Sequence, residues 1–117
     1  MNSPMLDRGD VVLTRFPFTD LTGAALRPAV VISQGLIGQD VVLTAISSVV
    51  RETHAPTDCT VETGHSEFKA TGLRVTSVIR THKLAAVERS VIVRRPGHLG
   101  PQLQTEVDRL LRVVLGL

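Results

Sequence analysis

Leu26-Arg27-Pro28-Ala29-Val30-Val31-Ile32-Ser33 and Val41-Val42-Leu43-Thr44-Ala45-Ile46-Ser47-Ser48 are the two stretches that decide the fold of this chain. Both are β-branched apolar runs without polar alternation, so each reads as a strand buried on both faces. Gly35 and Gly38 lie between them and mark a turn. If the two strands are antiparallel neighbours, the start of the first faces the end of the second. Arg27 and Ser47 then lie at the same end of the sheet. The head group of Arg27 cannot follow Val30 and Val31 into the core, and the rigid Pro28 fixes it at the mouth of a loop. A fixed guanidinium beside a hydroxyl is suited to gripping a phosphate. Spacing alone leaves open a loop arginine and a strand-end serine with no joint role.

The same punctuation recurs on either side. Val11-Val12-Leu13-Thr14-Arg15-Phe16 is a strand introduced by Gly9-Asp10, and its pairing weakens at Pro17, which has no N–H to donate. Residues 19–26 and 51–56 read as exposed loops. Residues 57–63 return as a strand around Cys59 and Val61, and the glycine-bounded residues 64–72 as a turn or excursion. Residues 75–81, 84–87 and 91–93 look like further strands, with Glu88-Arg89 turning before the last. The period then changes. Leu103, Val107, Leu110, Leu111 and Val114 recur at steps of three and four, which predicts a helix opened by Pro101 and stopped by Gly116. Glu106 and Arg109 can pair across one of its turns. Many short strands, one terminal helix and no βαβ alternation give a mainly β fold with a C-terminal helix. A small, strongly bent sheet or partly open barrel over residues 1–117, one domain, satisfies this pattern.

Composition narrows the function without deciding it. At 117 residues and 43% hydrophobic the chain can build a core, and a second subunit would bury more surface. The net charge of +2 is too small to establish a nucleic-acid partner, so distribution matters more. Basic residues gather at residues 80–83 and at Arg94-Arg95. Cys59 is the only cysteine, which excludes an internal disulfide, fits a reducing compartment and leaves no zinc-finger spacing. The N-terminus lacks the apolar core of a signal peptide, and no apolar run approaches the ~20 residues that span a bilayer. The expectation is a cytoplasmic protein away from membranes. There is no P-loop, nucleophile elbow or His-Glu-x-x-His motif, and His54, His65, His82 and His98 are scattered. No metal or cofactor is expected.

Three segments carry a resemblance. Gly9-Asp10-Val11-Val12-Leu13-Thr14-Arg15-Phe16-Pro17-Phe18-Thr19-Asp20 resembles the opening of MazF/PemK-like toxins. Leu26-Arg27-Pro28-Ala29-Val30-Val31-Ile32-Ser33 is similar to the family's Arg-Pro followed by an apolar strand. Thr44-Ala45-Ile46-Ser47-Ser48 resembles its strand ending in a catalytic hydroxyl. Residues 72–80 and the closing helix are also similar, so the likeness runs from about Leu6 to the end.

The resemblance implies a small SH3-like β-barrel with a C-terminal helix, a homodimer, and the toxin of a type II toxin–antitoxin system. It implies a metal-independent endoribonuclease that cuts single-stranded RNA at short sequences and is restrained by a cognate antitoxin. Arg27 matches the family's catalytic arginine and Ser47 its catalytic threonine or serine, with Ser48 one residue away. The RNA 2′-hydroxyl can attack its own adjacent phosphate, so the enzyme need only orient it and stabilise phosphorane charge. Preorganised donors do this effectively. Arginine, with a pKa above ~12, is a poor base, so Arg27 is assigned charge stabilisation and the proton carrier stays open. Phe18 is the candidate stacking platform for a base, with Thr19, Gln34, Arg51 and Arg80 as further RNA contacts. Two alternatives share the fold: a CcdB-type gyrase poison, disfavoured by a C-terminus of Leu115-Gly116-Leu117 without Trp, and a non-catalytic RNA-binding or interaction module.

Overall fold

The computed structural model describes residues 5–16, 26–49 and 55–117. The two deciding stretches form β2 (Arg27–Val31) and β3 (Asp40–Ser47). They pair antiparallel in the register Ala29↔Ala45, Val30↔Thr44, Val31↔Leu43. Ala29, Val30, Val31 and Leu43 are fully buried. A run without polar alternation fits this position, because both faces of the central strands are covered.

Among the described residues six antiparallel strands make one sheet in the order β4-β5-β3-β2-β1-β6, with β1 (Asp10–Thr14), β4 (Asp58–Val61), β5 (Ser77–Glu88) and β6 (Ile92–His98). The edge strands β4 and β6 do not pair with each other, so the barrel is open. The 15-residue α2 (Pro101–Leu115) lies across one face. Its Leu103, Val107, Leu110 and Leu111 pack with Val11, Val30, Ile46, Cys59, Val61 and Ile79. The other face collects Val12, Ala29, Val31, Val41, Leu43 and Val87 with Leu6 and Ile92.

Three boundaries differ from the sequence reading. Residues 75–81 and 84–87 are parts of one long strand, β5, not two. Between Thr44↔Leu84 and Ala45↔Arg80 the register slips, leaving residues 81–83 as an insertion in β5. The polar atoms there are satisfied: the Thr44 hydroxyl donates to the Arg80 carbonyl at 2.7 Å, and the Thr81 hydroxyl to the Thr57 carbonyl at 2.6 Å. Such a bulge bends a strand without ending it. Secondly, Val91 closes a 3-10 turn (Arg89–Val91), and β6 runs on through Pro96 to His98. An edge position tolerates the missing N–H of proline. Thirdly, the excursion at residues 64–72 contains a four-residue helix, α1 (Phe68–Thr71). It packs against β6 at Gly97, where a Cβ would collide with the Ala70 carbonyl.

The start of α2 is held from a distance. Its N-cap is Gly100, which offers no side chain. The Glu67 carboxylate instead accepts from the backbone N–H groups of Gln102 (3.0 Å) and Leu103 (2.8 Å), two of the donors a helix leaves open. A Cβ at residue 100 would strike that carboxyl group. Burial opposes the charged form of Glu67, but the two backbone donors and nearby His65 together outweigh it, so its pKa lies below the ordinary 4.5. A depressed carboxylate pKa stabilises the fold above the unfolded value, and that contribution is lost as pH falls through the folded one. Glu67→Gln should therefore melt below wild type at pH 6, and the gap should close toward pH 3. Parallel melting curves across that range would contradict the cap.

Candidate functional site

The exposed end of the β2–β3 pair is where the sequence reading places its chemistry. Continuing the register from Ala29↔Ala45 by two residues sets Arg27 across from Ser47. On its other side Arg27 pairs with Thr14 of β1, and Ser47 pairs with Val78 of β5. Residues directly opposite each other in an antiparallel ladder share a face. Arg27 and Ser47, each two residues beyond the last pair Ala29↔Ala45, thus belong to the face opposite α2 and to the same end of the sheet, at the rim of the open barrel. Arg27 is exposed and Ser47 half-buried.

Each is fixed differently. Pro28 follows Arg27 within β2 and pairs with Leu13, so the arginine leaves a braced backbone. Among the described residues no carboxylate forms an ion pair with Arg27, whereas Arg8, Arg80, Arg95 and Arg109 are engaged by Asp108, Asp58, Asp10 and Glu106. The Ser47 oxygen accepts from the Val49 N–H at 3.1 Å. Serine lacks the methyl that restricts a threonine rotamer, and this backbone contact restricts it instead. The contact uses a lone pair and leaves the hydroxyl proton to donate. Ser48 lies beyond the strand in an exposed bend, outside the alternation that carries Ser47 to the face of Arg27.

The remaining sites divide. Arg80 pairs with Ala45 and so lies on the same face, one diagonal from Ser47. Its Nε donates to Asp58 Oδ1 at 3.0 Å. Gln34 is exposed beyond the other end of β2, on the order of 15 Å or more from Arg27 at the rise of a strand, and is not brought to this rim. Phe18, Thr19, Arg51 and His54 lie outside the described residues. Among the described residues no group of three or more His, Cys, Asp or Glu side chains could hold a metal ion. No helix there is long and apolar enough to cross a membrane.

Asp58 is the residue the sequence reading missed. Its side chain is 5% exposed. It holds Arg80, accepts from the Ala55 N–H at 3.1 Å, and lies 3.9 Å from His82 Nδ1. The signal was an acid opening a short strand in a chain whose basic cluster, residues 80–83, had no named partner. Cys59, the next residue, points into the core beneath α2. Burial first, then Glu106, pushes its thiol up to about 11 against the opposing effect of Arg109. A thiol held protonated in this way is a packing group and not a nucleophile.

Solved structures with this fold include an endoribonuclease in complex with its cognate antitoxin from a mycobacterial species. That chain is 22% identical with a TM-score of 0.72, over 96% of each chain. MazF from Deinococcus radiodurans is 20% identical with a TM-score of 0.73, over 98% of this chain and 100% of that one. The Mycobacterium tuberculosis toxin MazF-mt6 is 14% identical with a TM-score of 0.71, over 92% and 97%. Among curated proteins none matches this sequence. The model of one family, the PemK-like, MazF-like toxin of type II toxin–antitoxin systems, matches residues 7–115. With nearly its whole length matched, and the strand order and terminal helix in agreement, this chain belongs to that toxin family.

Proposed function

We propose that this toxin is a metal-independent, sequence-selective endoribonuclease acting on single-stranded RNA. The observation that carries the reading is that the β2–β3 register puts Arg27 and Ser47 on one face at the same end of the two strands, at an exposed rim, with no carboxylate paired to Arg27 among the described residues. The substrate supplies the nucleophile. Its 2′-oxygen bonds to the adjacent phosphorus, the bond to the 5′-oxygen breaks, the 2′-hydroxyl proton departs and the leaving 5′-oxygen gains one. The products are a 2′,3′-cyclic phosphate and a 5′-hydroxyl. Arg27 meets the charge that builds on the non-bridging oxygens with two parallel donors. Ser47 donates its proton to the same group. Both act as electrostatic stabilisers prepared in advance.

Partners follow from this reading. The enzyme works in the cytoplasm as a homodimer, two rims flanking one shared surface. Sedimentation equilibrium at micromolar concentration should give twice the chain mass, and a clean monomer there would contradict this. The relative solved with its cognate antitoxin supports a protein partner here too. We assign it an acidic, flexible segment that covers the basic residues Arg27, Arg51, Arg80 and Lys83 and competes with RNA phosphates. The function itself is tested by incubating the purified toxin with a long single-stranded RNA and, separately, with gyrase and supercoiled DNA. Discrete RNA fragments with gyrase unaffected are expected. Intact RNA with inhibited gyrase would overturn the reading.

A further inference from the structure

One ladder step from the Arg27/Ser47 pair, a cation is held in place by a chain of contacts that ribonuclease chemistry at those two residues does not itself require. Arg80 faces Ala45, and Ser47 faces Val78. Arg80 and Ser47 are therefore diagonal neighbours on one face, with about 7–8 Å between their backbones. The intervening positions are small: Ala29 and Ala45 occupy the row of Arg80 on β2 and β3. No bulky side chain of that row separates the two cations.

Arg80 is pinned twice. Its carbonyl accepts from the buried Thr44 hydroxyl at 2.7 Å. Its Nε donates to Asp58 Oδ1 at 3.0 Å, and the other oxygen of Asp58 accepts from the Ala55 N–H at 3.1 Å. The Asp58 side chain is nearly buried, and the Arg80 side chain is 29% exposed. An Nε contact occupies one of five donors, so the two terminal NH2 groups have no carboxylate partner among the described residues. A guanidinium already oriented loses less freedom when it binds an anion.

We propose that Arg80, oriented by Asp58, is a second phosphate subsite that grips a backbone phosphate neighbouring the scissile one. Asp58 is a positioning residue: it touches Arg80 and not the RNA. The subsite rests on the ribonuclease reading. It sets where the chain lies across the rim and leaves the bond-breaking step to Arg27 and Ser47. An ion pair that merely clamps edge strand β4 to β5 is the competing role, and it makes different predictions.

The experiment measures binding of a fully 2′-O-methylated, uncleavable RNA at several salt concentrations, together with cleavage of the ordinary RNA and the thermal midpoint. Arg80→Ala should weaken binding by about tenfold and lower the slope of log affinity against log salt by about one. Arg80→Lys, which keeps the charge but not the fork, should keep the salt slope and recover only part of the affinity. Asp58→Asn removes a negative charge, so charge alone would tighten RNA binding. Positioning predicts that it weakens binding, with KM raised more than kcat is lowered. Unchanged affinity and salt slope in a folded Arg80→Ala protein, or tighter binding in Asp58→Asn, would overturn the subsite while cleavage by the wild type still stood. If wild type neither binds nor cuts RNA, the ribonuclease reading itself fails, and the subsite with it.

Discussion

Arg27→Ala is expected to cut RNA at least about 100-fold more slowly than wild type, the usual loss when one preorganised donor to a developing oxyanion is removed. Its fold should survive. Arg27 is exposed at the first position of β2, and surface replacements away from buried polar networks usually stay within about 0.5 kcal/mol. Arg27→Lys should recover only part of the rate, because a point charge cannot offer two parallel donors to one phosphate. Ser47→Ala should impair cleavage as well, and more than Ser48→Ala, since Ser47 keeps the strand alternation that sets it beside Arg27. Rates come from single-turnover cleavage, and folding is checked by circular dichroism. A folded Arg27→Ala protein with full activity would remove the mechanism.

Leu43→Ala should have the largest effect on stability. Leu43 is fully buried at the centre of β3 and packs among Val12, Ala29, Val31, Val41 and Val87 on the face away from α2. Losing its side chain costs about 2–5 kcal/mol, the transfer energy of the lost carbons plus the cavity left behind. That is a large share of the ~5–15 kcal/mol available to a domain and should lower the thermal midpoint by on the order of 10 °C. The matched control is Val113→Ala on α2, where the residue is 60% exposed and the change should be small. Both are compared at one protein concentration, because the melting of a dimer depends on it. Equal melting of the two variants would show that the sheet core is not where the fold is held.

Hydrophobic pattern made the central sheet legible. Residues 28–33 and 41–46 admit no exposed face, and both strands lie at the centre of the sheet. Helix α2 was equally plain, from its apolar stripe to its stop, where Gly116 takes φ 69°. The Glu106/Arg109 pair forms across one turn, 2.8 Å between Oε1 and Nε. The placement of Arg27 and Ser47 at one end of the sheet was legible because pairing two strands antiparallel fixes which ends meet, whatever the register. What pattern could not carry was long-range polar chemistry. The Glu67 cap joins residues 35 and 36 apart in sequence, and Asp58 meets Arg80 across 22. Neither leaves a local spacing to read. The bulge at residues 81–83 was hidden for the same reason. The polar groups around it are satisfied by Thr44 on β3 and by Thr57 in the turn before β4, and from sequence it reads only as a gap between two strands. The run Arg94-Arg95-Pro96 belongs to an edge strand, where charge and proline are tolerated, and its polarity concealed it.

Attack by the RNA's own 2′-hydroxyl, without a metal ion, is tested most directly by the chemistry of the cut ends. Purified toxin is incubated with a long single-stranded RNA in excess EDTA and the cleavage positions are mapped. A second RNA is then made with one 2′-deoxynucleotide on the 5′ side of a mapped bond. Cleavage should persist in EDTA, leave a 2′,3′-cyclic phosphate and a 5′-hydroxyl, and vanish at the deoxy position alone. Cleavage that EDTA abolishes, or that proceeds at the deoxy position to leave a 5′-phosphate, would contradict it.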